Sequence, residues 1–297
     1  MSLEFRVTQR SLSQTALAGL QGSLAKLGDL QQQMTTGKLI NRPSDSPTGT
    51  IQAMQFRADI RAQEQYSRNA QDGQGWLGII DSTLGDMTTQ VQRARDLTLQ
   101  GISTGTTSSV QGRIALATEI DSIRQSLIGS ANTTYLGRPV FGGTTAGALA
   151  YDPNANYLGD AGSINRTVGP GVSVQVDSSG PGTFGTGTGQ LFTVLALVSN
   201  DLRNNPGALT ADLAQLDTAS ATLQTQRSDV GARYNRIAQM KQIADNRILD
   251  LKAQLSDIED IDLPKTITEL QLQQTAYQAA LSATAKVLQP SLMDFLK

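Results

Sequence analysis

Four acidic residues lie within six consecutive positions: Asp257, Glu259, Asp260 and Asp262. Paired carboxylates can hold magnesium or act as a general acid and base. Carboxylates at the boundary between two helices also cap the next helix and favour the positive end of its dipole. Pro264 breaks the helical sequence just beyond them, so we interpret these carboxylates as caps rather than as a metal or catalytic site.

A second set of oxygen ligands, Asp152, Asn154 and Asn156, has the spacing with which a calcium loop opens. Such a loop needs a glycine at its sixth position and a bidentate glutamate at its twelfth. Tyr157 and Ser163 stand at those positions instead. No calcium site is expected.

Three glycine motifs resemble nucleotide-binding loops. Residues 73–78 (GQGWLG) fit the dinucleotide pattern G-x-G-x-x-G, which works only between a strand and a helix, and helical sequence lies on both sides here. Residues 185–189 (GTGTG) lack the Lys-Ser/Thr pair of a phosphate loop, and so does Gly37-Lys38, which Leu39 follows. We predict turns or softened helix at these places.

The composition excludes several classes of function. The 297 residues include no cysteine and no histidine, which removes thiolate nucleophiles, imidazole bases and the commonest transition-metal ligands. The formal net charge is −2, and no basic face of the kind that binds nucleic acid is visible. The start, MSLEFRVTQRSL, lacks the apolar region of a secretory signal, and no apolar run could span a membrane. We expect no enzyme activity, cofactor or metal, and no binding to nucleic acid or membrane.

Near each end of the chain the sequence predicts a helix with one apolar stripe. Apolar residues recur there in steps of three and four, as in helices that pack on other helices. We predict that the two stripes pair and form an assembly interface, because two such helices are marginal alone. The interface residues are Leu17, Leu20, Leu24, Leu27 and Met34 near the start, and Ile267, Leu270, Tyr277, Leu281 and Leu288 near the end.

A turn follows the first helix, which Gly37 ends. The inter-helix turn comprises Asn41, Arg42, Pro43, Ser44, Asp45 and Pro47, with Ser46 as the cap and Pro47 as the first residue of a second helix over about 48–100. Ser108 and Gln111 are predicted to cap a third helix. Mainly apolar residues then recur in steps of three and four from Leu209 to Ile258, the spacing of a long helix that packs on other helices.

The middle of the chain differs from both ends. Residues 133–190 are dense in glycine and proline, and Val172, Val174 and Val176 alternate with polar residues as in a strand. The predicted fold class is mainly α: a long helical coiled-coil or bundle rod formed by the N- and C-terminal segments, with a small β-rich central insertion. The predicted domains are a terminal coiled-coil layer (1–42 with 263–297), a helical rod (43–134 with 190–262) and a small β-rich variable domain (135–189).

Four segments carry a resemblance to a known family. Residues 34–47 (MTTGKLINRPSDSP), 124–143, 228–237 (SDVGARYNRI) and 255–268 resemble the bacterial flagellin family, and more particularly its hook–filament junction proteins. The resemblance covers about the first 145 and the last 110 residues, and the order and spacing of the segments agree.

The resemblance implies a structural role in the bacterial flagellum. Proteins of this family leave the cell through the flagellar export apparatus without a cleaved signal peptide, with an export chaperone as a further candidate partner. Their termini are disordered in the monomer and become a coiled coil on assembly. Junction proteins form a ring between the first hook-associated protein and flagellin, and adapt one to the other. The expected location is therefore the extracellular flagellum.

Three alternatives remain open at the level of sequence. The chain could be filament flagellin itself, a cytosolic coiled-coil scaffold or chaperone, or an enzyme that uses the acidic cluster. Location along the flagellum separates the first from a junction protein. Absence from the culture medium would indicate the second, and loss of activity on replacing Asp260 and Asp262 with asparagine would indicate the third.

Overall fold

Helices dominate the computed structural model, which describes residues 9–103, 110–145 and 147–288. In this part of the chain the helices are α1 (Gln9–Thr36), α2 (Pro47–Ser103), α3 (Val110–Ala131), α4 (Gly180–Phe184), α5 (Leu191–Asn204), α6 (Leu209–Glu259) and α7 (Leu263–Leu288). The predicted fold class, mainly α with a small β insertion, is confirmed. Across the described residues, no helix is both long and apolar enough to cross a lipid bilayer.

Local sequence chemistry explains where α1 ends and α2 begins. Gly37 has a φ of +69°, the left-handed conformation that closes many helices, and its amide donates to the carbonyl of Gln33 at 2.8 Å. Ser46 caps α2, because its Oγ accepts a hydrogen bond from the amide of Gly49 at 3.2 Å. Pro47 is the first residue of α2, as predicted. The predicted cap Ser108 lies outside the described residues.

Two short antiparallel hairpins make up the β structure that is described. Strands β1 (Thr134–Tyr135) and β2 (Arg138–Pro139) pair across a two-residue turn. Strands β3 (Asn165–Gly169) and β4 (Val172–Gln175) form the second hairpin, with a bulge at its turn end. The alternating valines predicted a strand, and β4 confirms it for Val172 and Val174, while Val176 lies one residue beyond its end.

The chain divides into two compact units. Unit 1 comprises residues 1–61 and 249–297, and unit 2 comprises residues 62–248. Residues 135–189 share a hydrophobic core with the helices of unit 2, where Phe141, Tyr151, Phe184 and Phe192 pack ring against ring. The three-part domain division therefore stays a prediction.

Within unit 2, helix α6 buries every seventh residue in the core. The positions Leu209, Leu216, Leu223, Val230 and Ile237 are completely buried. A second row lies midway between them: Leu213 and Ser220 are half-buried, and Arg227 and Tyr234 are exposed. The first row is therefore buried, and the second row stays accessible. We call this second row the open row. Arg227 lies in the open row, where its guanidinium contacts Asp81 of α2 at 3.0 Å.

The three suspected ligand motifs have structural roles. Residues 73–78 lie inside α2, so a helix and not a strand directly precedes them. The carboxylate of Asp152 accepts the backbone amide and the side-chain amide of Asn156, each at 2.8 Å, and so closes its own loop. Gly187–Gly189 form one turn of 3₁₀ helix before α5. Among the described residues, no group of three or more acidic residues is placed to hold a metal ion.

Candidate assembly surfaces

Unit 1 pairs the two terminal helices α1 and α7. The side-chain amide of Gln273 in α7 donates to the carbonyl of Ser23 in α1 at 3.2 Å. The pairing that the two apolar stripes predicted is therefore present within one chain.

The pairing leaves much of the α1 stripe uncovered. Leu17 and Leu24 are 58% and 53% exposed, while Leu20, Leu27 and Met34 are half-buried. The most buried apolar residue of α1 that is described is Leu30, at 6% exposure, which was not among the predicted interface residues. The stripe is thus wider than the contact with α7 can cover.

The α7 stripe behaves in the same way. Ile267 and Leu281 are 39% and 43% exposed, and Leu270 and Tyr277 are half-buried. The side chain of Leu288 lies outside what the structure describes. Leu263 and Leu272, which were not among the predicted interface residues, are 53% and 71% exposed. Both terminal helices therefore leave large apolar side chains exposed, and contacts with other proteins commonly bury such side chains.

The inter-helix turn is held by a single carboxylate. Oδ2 of Asp45 accepts the backbone amides of Asn41 at 3.0 Å and Arg42 at 2.8 Å, which lowers the pKa of Asp45 below its usual value. The side chain of Asn41 donates to the carbonyl of Lys38 at 2.9 Å. Pro43 and Ser44 form the exposed outer part of the turn. This geometry explains the Asn-Arg-Pro-Ser-Asp order as a self-closing turn.

A backbone bridge joins that turn to the end of α6. The amide of Leu39 donates to the carbonyl of Glu259 at 2.6 Å, and the amide of Ile261 donates to the carbonyl of Gly37 at 3.1 Å. Lys38 and Asp260 face each other across this antiparallel bridge. The first and last helices are therefore held together at one end by main-chain hydrogen bonds.

Side-chain charges reinforce the bridge. The ammonium of Lys38 lies 2.6 Å from Asp260 and 3.4 Å from Glu259, and Arg57 of α2 lies 2.8 Å from Glu259. The hydrogen bond with Asp260 raises the pKa of Lys38, and the same contact lowers the pKa of Asp260. We call Lys38, Arg57, Glu259 and Asp260 the clasp.

The interpretation of the acidic cluster as helix caps was only partly right. Asp262 does cap α7, because its Oδ1 accepts the amide of Lys265 at 3.2 Å. Glu259 and Asp260 instead form ion pairs of the clasp. Their partner Lys38 is 222 residues away from Asp260 in sequence, so local sequence could not identify it.

Unit 2 contains two buried acids that the sequence did not mark. Asp177 is fully buried and Asp212 is 2% exposed, and each has one carboxylate oxygen without a hydrogen-bond partner in the structure. Burial raises the pKa of Asp177, and burial together with the neighbouring carboxyl of Asp201 raises the pKa of Asp212 to about 6. Because both carboxyls are buried and their pKa values are raised, their protonation is coupled to the stability of the fold.

Family models match most of the chain. The model of the bacterial flagellin N-terminal helical region matches residues 7–146, and that of the bacterial flagellin C-terminal helical region matches residues 213–296. Together they leave out the middle of the chain, where the β hairpins β3–β4 and the helices α4 and α5 lie.

Similar curated proteins carry flagellar names. The chain is 26% identical to flagellar hook-associated protein 3 of Escherichia coli, an alignment that covers 98% of this chain and 100% of that protein. It is 26% identical to flagellin of Bacillus subtilis, over 87% of this chain and 88% of that protein.

Solved structures show the same fold. A putative flagellar hook-associated protein from Vibrio parahaemolyticus superposes with a TM-score of 0.66 at 19% identity, covering 73% of this chain and 100% of that one. The flagellar junction protein FlgL from Legionella pneumophila superposes with a TM-score of 0.58 at 17% identity, covering 71% and 100%.

Proposed function

This chain belongs to the bacterial flagellin family, and from that membership we propose that it is the structural adaptor at the hook–filament junction. In this role it connects the first hook-associated protein to flagellin, and several copies assemble into a ring. The observation that carries the proposal is the end-to-end match to hook-associated protein 3, which spans 98% of this chain and all of that relative.

The uncovered stripes of α1 and α7 supply the surface for assembly. Leu17, Leu24, Ile267 and Leu281 remain exposed after the two helices pair. Burying such side chains against neighbouring copies gains roughly 25 cal/mol for each Å² of apolar surface, which a single chain cannot gain alone. We propose that these stripes carry the contacts along the flagellar axis, and that the open row of α6 carries lateral contacts.

A catalytic role is not part of this proposal. The family is one of structural flagellar proteins, and three residues of the acidic cluster have structural partners: Glu259 and Asp260 form ion pairs, and Asp262 caps α7. The proposed route to the flagellum is export of the unfolded chain through the flagellar export apparatus, without a cleaved signal peptide and with an export chaperone as a further partner.

Filament flagellin is the second candidate, because flagellin of Bacillus subtilis matches this chain at the same identity, 26%. Two experiments separate the candidates. A strain that lacks this chain should keep its hooks, lose its filaments and shed flagellin into the medium. Antibody labelling of intact flagella should mark one narrow band between hook and filament. Label along the whole filament would indicate flagellin and would overturn the adaptor proposal.

A further inference from the structure

The β1–β2 hairpin of unit 2 presents a leucine to solvent in an unfavourable backbone conformation. Leu136 and Gly137 are its two turn residues, with φ values of +49° and +79°. Hairpins of this kind favour Asn-Gly, because a bulky side chain in the left-handed region costs about 1–2 kcal/mol. Of the large apolar side chains that are described, Leu136 is the most exposed, at 79%. Folding therefore gains little from a leucine at this position.

The hairpin holds Leu136 in a fixed position. The ring of Tyr135 packs edge-on against Trp76 of α2, with centroids 5.2 Å apart. The amide of Val140 donates to the carbonyl of Thr133 at 3.0 Å, and Arg138 donates to the carbonyl of Thr144 at 2.9 Å. A side chain held in this way loses little conformational freedom when it binds a partner.

Unit 2 also contains a groove that could receive such a side chain. It lies between α3 and the segment that follows β2, has a volume of about 360 Å³, and is lined by Ile128, Gly129, Leu149, Tyr151 and Pro153 among others. Leu149 is 46% exposed there. Arg124 at its edge already donates to the carbonyl of Phe192 at 2.9 Å. Leu136 does not occupy the groove of its own chain, since it remains exposed.

A carboxylate next to the groove is opposite in charge to an arginine of the hairpin, while Arg124 in the groove lining is engaged with the carbonyl of Phe192. Arg138 follows Leu136 by two residues on the hairpin, and Asp152 lies between the groove residues Tyr151 and Pro153. Hydrogen bonds from Asn156 lower the pKa of Asp152, so its carboxylate is ionised at neutral pH. Opposite charges at the edge of an apolar contact fix its register and speed association.

We propose that Leu136 of one copy inserts into the groove beside Tyr151 of a second copy of this chain. The inference rests on the proposed function, because a ring of identical subunits repeats one contact between two different surfaces of the same chain. Burial by the partner copy accounts for a leucine at a position where asparagine would suit the isolated fold better.

Cysteine cross-linking tests the contact directly, since the natural chain contains no cysteine. Leu136→Cys and Gln125→Cys, whose position also lines the groove, are expressed together in a strain that lacks the natural chain. A short bifunctional maleimide applied to isolated flagella should yield a covalent dimer of the two variants. The control pairs Leu136→Cys with Ile243→Cys, at a residue of α6 that is 52% exposed, and should yield at least tenfold less dimer.

Equal dimer yields from the two pairs would overturn the proposal. So would cross-linking of Leu136→Cys to a different flagellar protein, or no dimer when both cysteines react with a monofunctional maleimide.

Substitution at Leu136 separates assembly from folding. Leu136→Asn should keep or raise the melting temperature, because asparagine tolerates a positive φ, and should reduce filament-bearing cells at least tenfold. Leu136→Met, which retains an apolar side chain, should restore filaments. Full restoration by Leu136→Asn would overturn this contact and leave the adaptor proposal standing. Failure of the natural chain to restore filaments would count against the adaptor proposal itself.

Discussion

Arg57 holds its guanidinium 2.8 Å from the carboxylate of Glu259, although 202 positions separate the two residues. The side chain of Glu259 is only 4% exposed, whereas that of Arg57 is 53% exposed. The acidic partner therefore depends on the contact more than the basic one does. Lys38, at 3.4 Å, is a more distant second partner. Loss of Arg57 would leave a buried carboxylate incompletely neutralised, which costs more than the pair itself contributes.

We predict that Arg57→Gln loosens the bridge between the first turn and the end of α6. The amides of Leu39 and Ile261 should exchange hydrogen about ten- to a hundredfold faster, equivalent to about 1–3 kcal/mol. Hydrogen exchange followed by mass spectrometry or NMR measures this. Arg93→Gln is the matched control. The side chains of Arg93 and its partner Glu119 are 59% and 43% exposed, so this ion pair should contribute only about 0.2–1 kcal/mol to the free energy of unfolding. Unchanged exchange at Leu39 in Arg57→Gln would contradict the prediction.

The stability of unit 2 should depend on pH because of Asp212. Its pKa rises from 3.8 to about 6 in the folded chain. Between about pH 4 and pH 6 the carboxyl of Asp212 is therefore protonated in the folded chain but ionised in the unfolded chain. The free energy of unfolding falls as the pH rises through that range. Asp212→Asn should raise the free energy of unfolding by about 1–3 kcal/mol at pH 7.5 and change it little at pH 4. Urea denaturation at the two pH values measures both effects.

The control for Asp212 is Asp250→Asn, at an exposed position of α6. That change should alter the free energy of unfolding by less than about 0.5 kcal/mol at either pH. If Asp212→Asn stabilises the chain equally at pH 4 and pH 7.5, the raised pKa does not explain its effect.

Two glycines of α2 should respond to alanine in opposite directions. A Cβ at Gly78 would have no atom within 4 Å, so Gly78→Ala should stabilise the chain by about 0.5–1 kcal/mol through helix propensity. A Cβ at Gly73 would lie 2.9 Å from Ile237 Cδ1 and 3.1 Å from Val176 Cγ1. Overpacking of this kind costs about 1–3 kcal/mol, so Gly73→Ala should destabilise. Thermal denaturation of the two variants compares them, and a shared sign would contradict the packing described.

Sequence patterns predicted the features that neighbouring residues determine. Ser46 caps α2 with an atom three residues from its partner amide, and Gly37 ends α1 through its own backbone conformation. The clasp could not be predicted, because Arg57 and Glu259 meet only after the two ends of the chain have paired. The exposure of Leu24 could not be predicted either, because heptad spacing marks a stripe without giving the width of the contact that covers it.

We predict that the uncovered stripe of α1 serves assembly and contributes little to folding. Leu24 is 53% exposed, so Leu24→Gln should change the free energy of unfolding by less than about 0.5 kcal/mol. Leu30 is 6% exposed, so Leu30→Ala should destabilise unit 1 by about 2–4 kcal/mol. Circular dichroism during urea titration measures both changes on the purified chain.

The same two variants are then expressed in the deletion strain, and cells with filaments are counted. Leu24→Gln should lower that count although the chain folds normally, because a polar side chain at this position weakens the contact with a neighbouring copy. Leu30→Ala shows what instability alone does to the count. If Leu24→Gln restores filaments as well as the natural chain does, the exposed leucines of α1 are surface residues without a role in assembly, and the axial contacts must be sought on α7.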